Sequence, residues 1–150
     1  MPDVVTLIEN DHRQLEEVFS SIEAADGDVK PLIEQVAELL IPHSKAEEQV
    51  VYPAIKQIAP GEAEDVDDGL EEHHHVEEML KQVLAEDSDA PGADGILAAI
   101  IGEVRHHVEE EEQLILPKFA DKATPQQLDE LGAKFAEAKQ AALAELRGSR

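Results

Sequence analysis

A chain of 150 residues has single-domain length and can bury a core without staples, and its lack of cysteine excludes disulfides, iron-sulfur clusters and thiolate zinc sites. Thirty-five acidic against twelve basic residues leave a formal charge of -23, which repels phosphate backbones and anionic membranes, so neither nucleic acid nor a membrane is an expected partner. Three Phe, one Tyr and no Trp offer little stacking surface for bases or sugars, and the core must be aliphatic.

Apolar residues recur every three or four positions between Gly and Pro clusters, and no segment alternates, which predicts an all-α chain. The first helix is expected from Asp3 to Ala25, with Val5, Ile8, His12, Leu15, Phe19 and Ile22 on one stripe and a stop at Asp26-Gly27-Asp28. A second is expected from Pro31 to Ile58, with the stripe Ile33, Val36, Leu40, His43, Glu47, Val50 and Ala54. The third, Glu62 to Glu86, carries Val66, Leu70, His73, Val76, Leu80 and Val83 and ends at the run Asp87 to Gly92. The fourth, Asp94 to Asp121, carries Leu97, Ile100, Val104, His107, Glu111, Leu114 and Lys118. Thr124-Pro125-Gln126-Gln127 reads as N-cap, first-turn Pro and capping-box Gln of a fifth helix reaching Arg147. Short connections between long helices predict an up-down-up-down four-helix bundle over residues 1-121, with an additional amphipathic helix over 122-150 packed on or extending from it. The N-terminus lacks a basic start and a signal-length apolar run, and no run approaches the roughly 20 residues of a membrane span, so a cytoplasmic protein is expected.

Each main stripe is apolar except near its middle, where a His stands, and on the second and fourth helices a Glu follows four residues later. An ionised carboxylate buried without a partner costs several kcal/mol, so two of them among four imidazoles call for compensation, and a metal bound by imidazole and carboxylate supplies it. Residues four apart share a helix face, about 6 Å apart along the axis, and can converge on one ion or an adjacent pair. The chain also repeats itself. His43 to Pro53, HSKAEEQVVYP, matches His107 to Pro117, HVEEEEQLILP, and Asp11 to Phe19, DHRQLEEVF, matches Glu72 to Leu80, EHHHVEEML. Two hairpins of one plan would bring His12, His43, Glu47, His73, His107 and Glu111 to one level. Glu48, Glu109, Glu110 and Glu112 read as surface carboxylates, and His74, His75 and His106, one or two residues off the stripes, as residues that support the ligands from outside or are solvated. His106 with Glu110 is an alternative spacing match, but only His107 keeps the alignment with His43.

These residues resemble the hemerythrin-like, or HHE cation-binding, domain family over about Val4 to Ala120. The pattern is a His on the first helix, His-x-x-x-Glu-Glu before a Pro on the second and fourth, and Glu-His on the third. An up-down-up-down bundle is the known topology of the wider hemerythrin group. The resemblance implies a non-haem centre of two Fe ions bridged by Glu47, Glu111 and an oxo or hydroxo group, with His12 and His43 on one iron and His73 and His107 on the other. Oxygen carriers of the family place a second His one turn along the third helix, where this chain has Glu77. Glu77 itself, Tyr52 or His74 could fill that ligand position, or it could stay open. Leu15, Val50, Leu80 and Leu114 are expected to keep the pocket dry. Two functions follow: a protein that binds O2, or senses or buffers O2, NO or iron, and a catalase- or peroxidase-like enzyme that removes H2O2 in oxidative stress. The partners expected are such small molecules, with the chain a monomer or weak homo-oligomer. A metal-free structural bundle is the third class, and zinc or manganese would suit the same donors.

Overall fold

The computed structural model describes residues 2-85 and 92-149, and among them there is no β-strand. Helix α1 spans Val4-Ala24, capped by the Asp3 carboxylate, which accepts from the Thr6 N–H at 2.8 Å. Helix α2 runs over residues 30-58 as one rod whose middle, Glu47-Val51, is a wide π turn between α-helical segments Lys30-Ala46 and Tyr52-Ile58. A 3-10 turn, Pro60-Glu62, leads into α3, Ala63-Ala85. Helix α4 covers residues 93-122 with an equivalent π turn at Glu111-Ile115. Helix α5, Pro125-Gly148, begins with the expected capping box of Thr124 and Gln127. The stop expected after α3 falls largely on residues 86-91, outside the described residues.

The π turns explain where the predicted stripes fail. Counting at 3.6 residues per turn puts Val50, Ala54, Leu114 and Lys118 inside, yet the buried residues are Val51, Ile55, Ile115 and Phe119, and Leu114 is 50% exposed. Each wide turn adds one residue and advances the inward face by one position. The sequence cause is the repeated proline. Pro53 and Pro117 have no N–H to donate, and their rings crowd the carbonyl four residues back, which a widened turn relieves. The backbone closes five residues back instead, from Tyr52 N–H to the Glu47 carbonyl and from Leu116 N–H to the Glu111 carbonyl. On α1 the inward residue of the first turn is Val4, with Val5 only partly covered.

The core has two halves. One holds Leu15, Phe19 and Ile22 from the end of α1 with Ile33, Val36 and Leu40 from the start of α2, together with Val76 to Val83 of α3 and Leu97 to Val104 of α4. The other holds Val4 and Ile8 with Val51, Tyr52 and Ile55, Val66, Ile115, Leu116, Phe119 and Phe135. This pairing of helix ends with helix starts makes successive helices antiparallel. Each fully buried Leu, Ile or Phe side chain contributes about 1.5–3 kcal/mol, so the two halves can carry a polar layer between them. Helix α5 packs along α2 and α1. It sits tightly against the chain start at Gly132, where a Cβ would lie 2.6 Å from the Pro2 carbonyl oxygen. No helix among the described residues is long and apolar enough to cross a membrane.

Candidate metal centre

Four imidazoles and two carboxylates meet between the two apolar halves. His43 and Glu47 are one turn apart on α2, His107 and Glu111 one turn apart on α4, and in each pair Nε2 lies 3.1 Å from a carboxylate oxygen. From α1, His12 Nε2 is 3.5 Å from Glu111 Oε1, and from α3, His73 Nε2 is 3.3 Å from Glu47 Oε1. The outcome is two overlapping quartets, His12, His43, Glu47, Glu111 and Glu47, His73, His107, Glu111, with the donor atoms of each within 4.8 Å of one another. Both glutamates are shared, and both are 0% exposed.

The opposite ring nitrogen of each of these four histidines is also held. Nδ1 of His43 lies 2.8 Å from Asp11, that of His107 2.8 Å from Glu72, that of His73 3.0 Å from Glu48 and that of His12 2.6 Å from Glu112. A carboxylate accepting from Nδ1–H fixes the tautomer and aims Nε2 at the centre, the usual support of an imidazole ligand. The pairs obey the twofold relation of the repeat. Asp11 reaches from α1 to α2 as Glu72 does from α3 to α4, and Glu48 reaches from α2 to α3 as Glu112 does from α4 to α1. Glu48 and Glu112 are therefore not free surface carboxylates, contrary to expectation. In a chain with 35 acidic residues a second Glu beside the first looks like solvated surface. The signal that could have found all four is their repetition at equivalent positions.

The repeat breaks near the centre at Tyr52. Tyr52 stands where the second half has Leu116, and the π turn carries it inward, because five residues after Glu47 it takes the place the fourth would hold in an α-helix. Its hydroxyl donates to Glu111 Oε2 at 3.1 Å and lies 3.3 Å from His73 Nε2 and 3.4 Å from His107 Nε2. Gly69 makes the room: a Cβ there would stand 3.1 Å from the Tyr52 hydroxyl and 3.2 Å from the His107 ring. The first half has Ile8 at the position of Gly69, so large and small residues exchange across the twofold. Glu77 lines the cavity beside the centre but sits 3.8 Å from Lys81 Nζ and belongs to neither quartet. His74 is exposed, 3.8 Å from Glu48, while His75 pairs with Glu103 and His106 with Glu110 on the surface.

Burial alone would lower the imidazole pKa values, but the carboxylates outweigh it. His43 is raised to about 10 by Glu47 and Asp11, and His12, His73 and His107 are raised by their own carboxylate neighbours. Burial and the charges of Glu111 and Glu47 together push the Tyr52 phenol well above its usual range. Among the described residues, five buried side-chain atoms lack a hydrogen-bond partner: His43 Nε2, both oxygens of Glu47, Glu111 Oε1 and, away from the centre, Glu62 Oε2. Unsatisfied buried carboxylate oxygens facing imidazole nitrogens fit a cation-binding site, and nitrogen and oxygen donors suit divalent and trivalent first-row metals.

A cavity of about 20 Å³ reaches the centre between Leu15, Leu40, Val76, Leu80 and Val104. It admits a molecule of about the size of water. Leu15 and Leu80 were expected there; Val50 and Leu114 lie outside it, turned away by the π turns.

The hemerythrin HHE cation-binding domain model matches residues 3-119, and the chain belongs to that family. A protein described as a DNA nickase from Nostoc sp. (strain PCC 7120 / SAG 25.82 / UTEX 2576) is 22% identical over 139 residues, which cover 91% of this chain and 39% of that protein. The chain thus spans about two-fifths of that relative's length. No solved structure matches significantly.

Proposed function

We propose that this chain is a non-haem di-iron protein that binds a small diatomic ligand, O2 or NO, with His12 and His43 on one iron, His73 and His107 on the other, and Glu47 and Glu111 shared between them. The observation that supports it is the pair of quartets joined by two wholly buried glutamates, with both oxygens of Glu47 and Oε1 of Glu111 lacking a hydrogen-bond partner. When bound, two irons supply a pair of electrons and an open coordination position to a small ligand. The protein supplies the rest. Asp11, Glu48, Glu72 and Glu112 hold the imidazoles in place, and Leu15, Leu40, Val76, Leu80 and Val104 restrict approach to small molecules and keep it dry. Tyr52 offers one further oxygen donor, on the His73 and His107 side. We place the protein in the cytoplasm, as a monomer or weak homo-oligomer. The activity named for the Nostoc relative is not carried over: this chain covers 39% of that protein, and its charge of -23 opposes contact with a phosphate backbone.

Tyr52 favours a second reading, the disposal of hydrogen peroxide, because its hydroxyl places a hydrogen-bonding group beside His73 and His107 that could hold a peroxide oxygen. Metal content with the visible spectrum tests the first proposal: two irons per chain with charge-transfer absorption support it, and isolated protein with neither metal nor absorption sinks it. Exposing the reduced protein to O2 and then to peroxide separates the two readings. A reversible spectral species supports ligand binding, whereas sustained oxygen evolution from peroxide supports turnover.

A further inference from the structure

Helix α5 lies beyond the residues matched by the family model, yet it reaches the centre. Lys139 Nζ donates to Asp11 Oδ1 at 2.8 Å, while Oδ2 of the same carboxylate accepts from His43 Nδ1 at 2.8 Å. One turn earlier on α5, the fully buried Phe135 meets the His43 ring edge-on, with centroids 5.6 Å apart. The close seating of Gly132 against the start of α1 fixes α5 in this register. Of the four carboxylates that hold the imidazoles, Asp11 is paired with a lysine; Glu72, Glu48 and Glu112 have imidazole partners. The two halves of the centre therefore differ in charge. His12 and His43 have Asp11, Glu112 and the Lys139 cation around them, whereas His73 and His107 have Glu48, Glu72 and the Tyr52 oxygen.

We infer that Lys139 is a positioning residue that weakens the His12/His43 position for a cation, so that metal fills the His73/His107 position first. This rests on the two-metal reading above. A lysine drawing on Asp11 leaves less negative charge to strengthen the His43 imidazole as a donor, and its own charge opposes a nearby cation. The tyrosine oxygen acts the other way at the partner position. A centre loaded in order can hold one ion firmly and exchange the other, and control of that exchange comes from the added helix.

The test is a titration of metal-free full-length protein with Co(II), followed by its ligand-field absorption. The wild type is expected to fill in two resolved steps. Lys139→Met, which keeps an unbranched side chain of similar length, should tighten the second step about ten-fold and leave the first unchanged, the scale on which outer carboxylate partners act. Lys139→Gln should behave likewise, so that the result does not depend on one variant folding, and Lys139→Arg should retain the wild-type curve. An unchanged or weaker second step in both neutral variants, or equal tightening of both steps, overturns the inference while leaving the two-metal reading intact. A wild type that takes up no cobalt overturns both.

Discussion

Replacing Glu47 or Glu111 removes a carboxylate that both quartets share, and Glu47→Ala or Glu111→Ala is expected to lose metal from both positions. Their sequence neighbours act differently. Glu48 and Glu112 hold Nδ1 of His73 and His12, so Glu48→Gln and Glu112→Gln should retain the centre with metal affinity weakened about 10- to 100-fold. Elemental analysis after dialysis against a competing chelator of graded strength checks this, and unchanged affinity in both Gln variants would return the pair to the surface. Protonation is decided at the same scale. An imidazole whose pKa is raised on folding adds stability that is fully present below its unfolded value of 6.5 and is lost as the pH climbs through its folded value, about 10 for His43. Metal-free protein should accordingly lose stability from about pH 7 to pH 10, by denaturant melts, through this group. Metal must displace those protons, so loading at about pH 7 should release protons and weaken as the pH falls; an indicator-dye titration showing no release would contradict the pKa directions.

At the scale of the element, the π turns decide which residues face inward. Ile115 is 3% exposed and Leu114 is 50% exposed, although an uninterrupted α-helix aligned on His107 and Glu111 puts Leu114 inside. Ile115→Ala is therefore expected to cost about 2–4 kcal/mol in a urea melt, and Leu114→Ala under about 0.5 kcal/mol. The reverse order would show that the helix keeps its α register through Glu111-Ile115. The same shift brings Tyr52 to the centre and leaves Val50 at the side of α2. Periodicity alone could not find it, because hydrophobic spacing is read against one fixed turn length, and the paired Pro53 and Pro117 mark where that length changes.

For the whole molecule, the buried polar layer between two apolar halves is the weak level of the bundle unless a cation compensates it. Loaded protein should therefore melt higher than the chelated form; a ligand at a hundred times its dissociation constant contributes about 2.7 kcal/mol. Equal melting temperatures with and without metal, by differential scanning calorimetry, would count against a stabilising centre. The sequence alone determined the all-α bundle and brought His12, His43, Glu47, His73, His107 and Glu111 to notice, because polar residues on apolar stripes and their repetition are local patterns. It could not determine what lay around them. That Asp11 serves His43 rather than its neighbour His12, that Glu48 crosses to α3, and that Lys139 returns from the fifth helix to Asp11 were decided by tertiary structure. The physical reason is that a side chain's partner is set by which helices pack together and in what register; the repeat marks Asp11 with Glu72 and Glu48 with Glu112 as equivalent positions, but not the imidazole that each one meets.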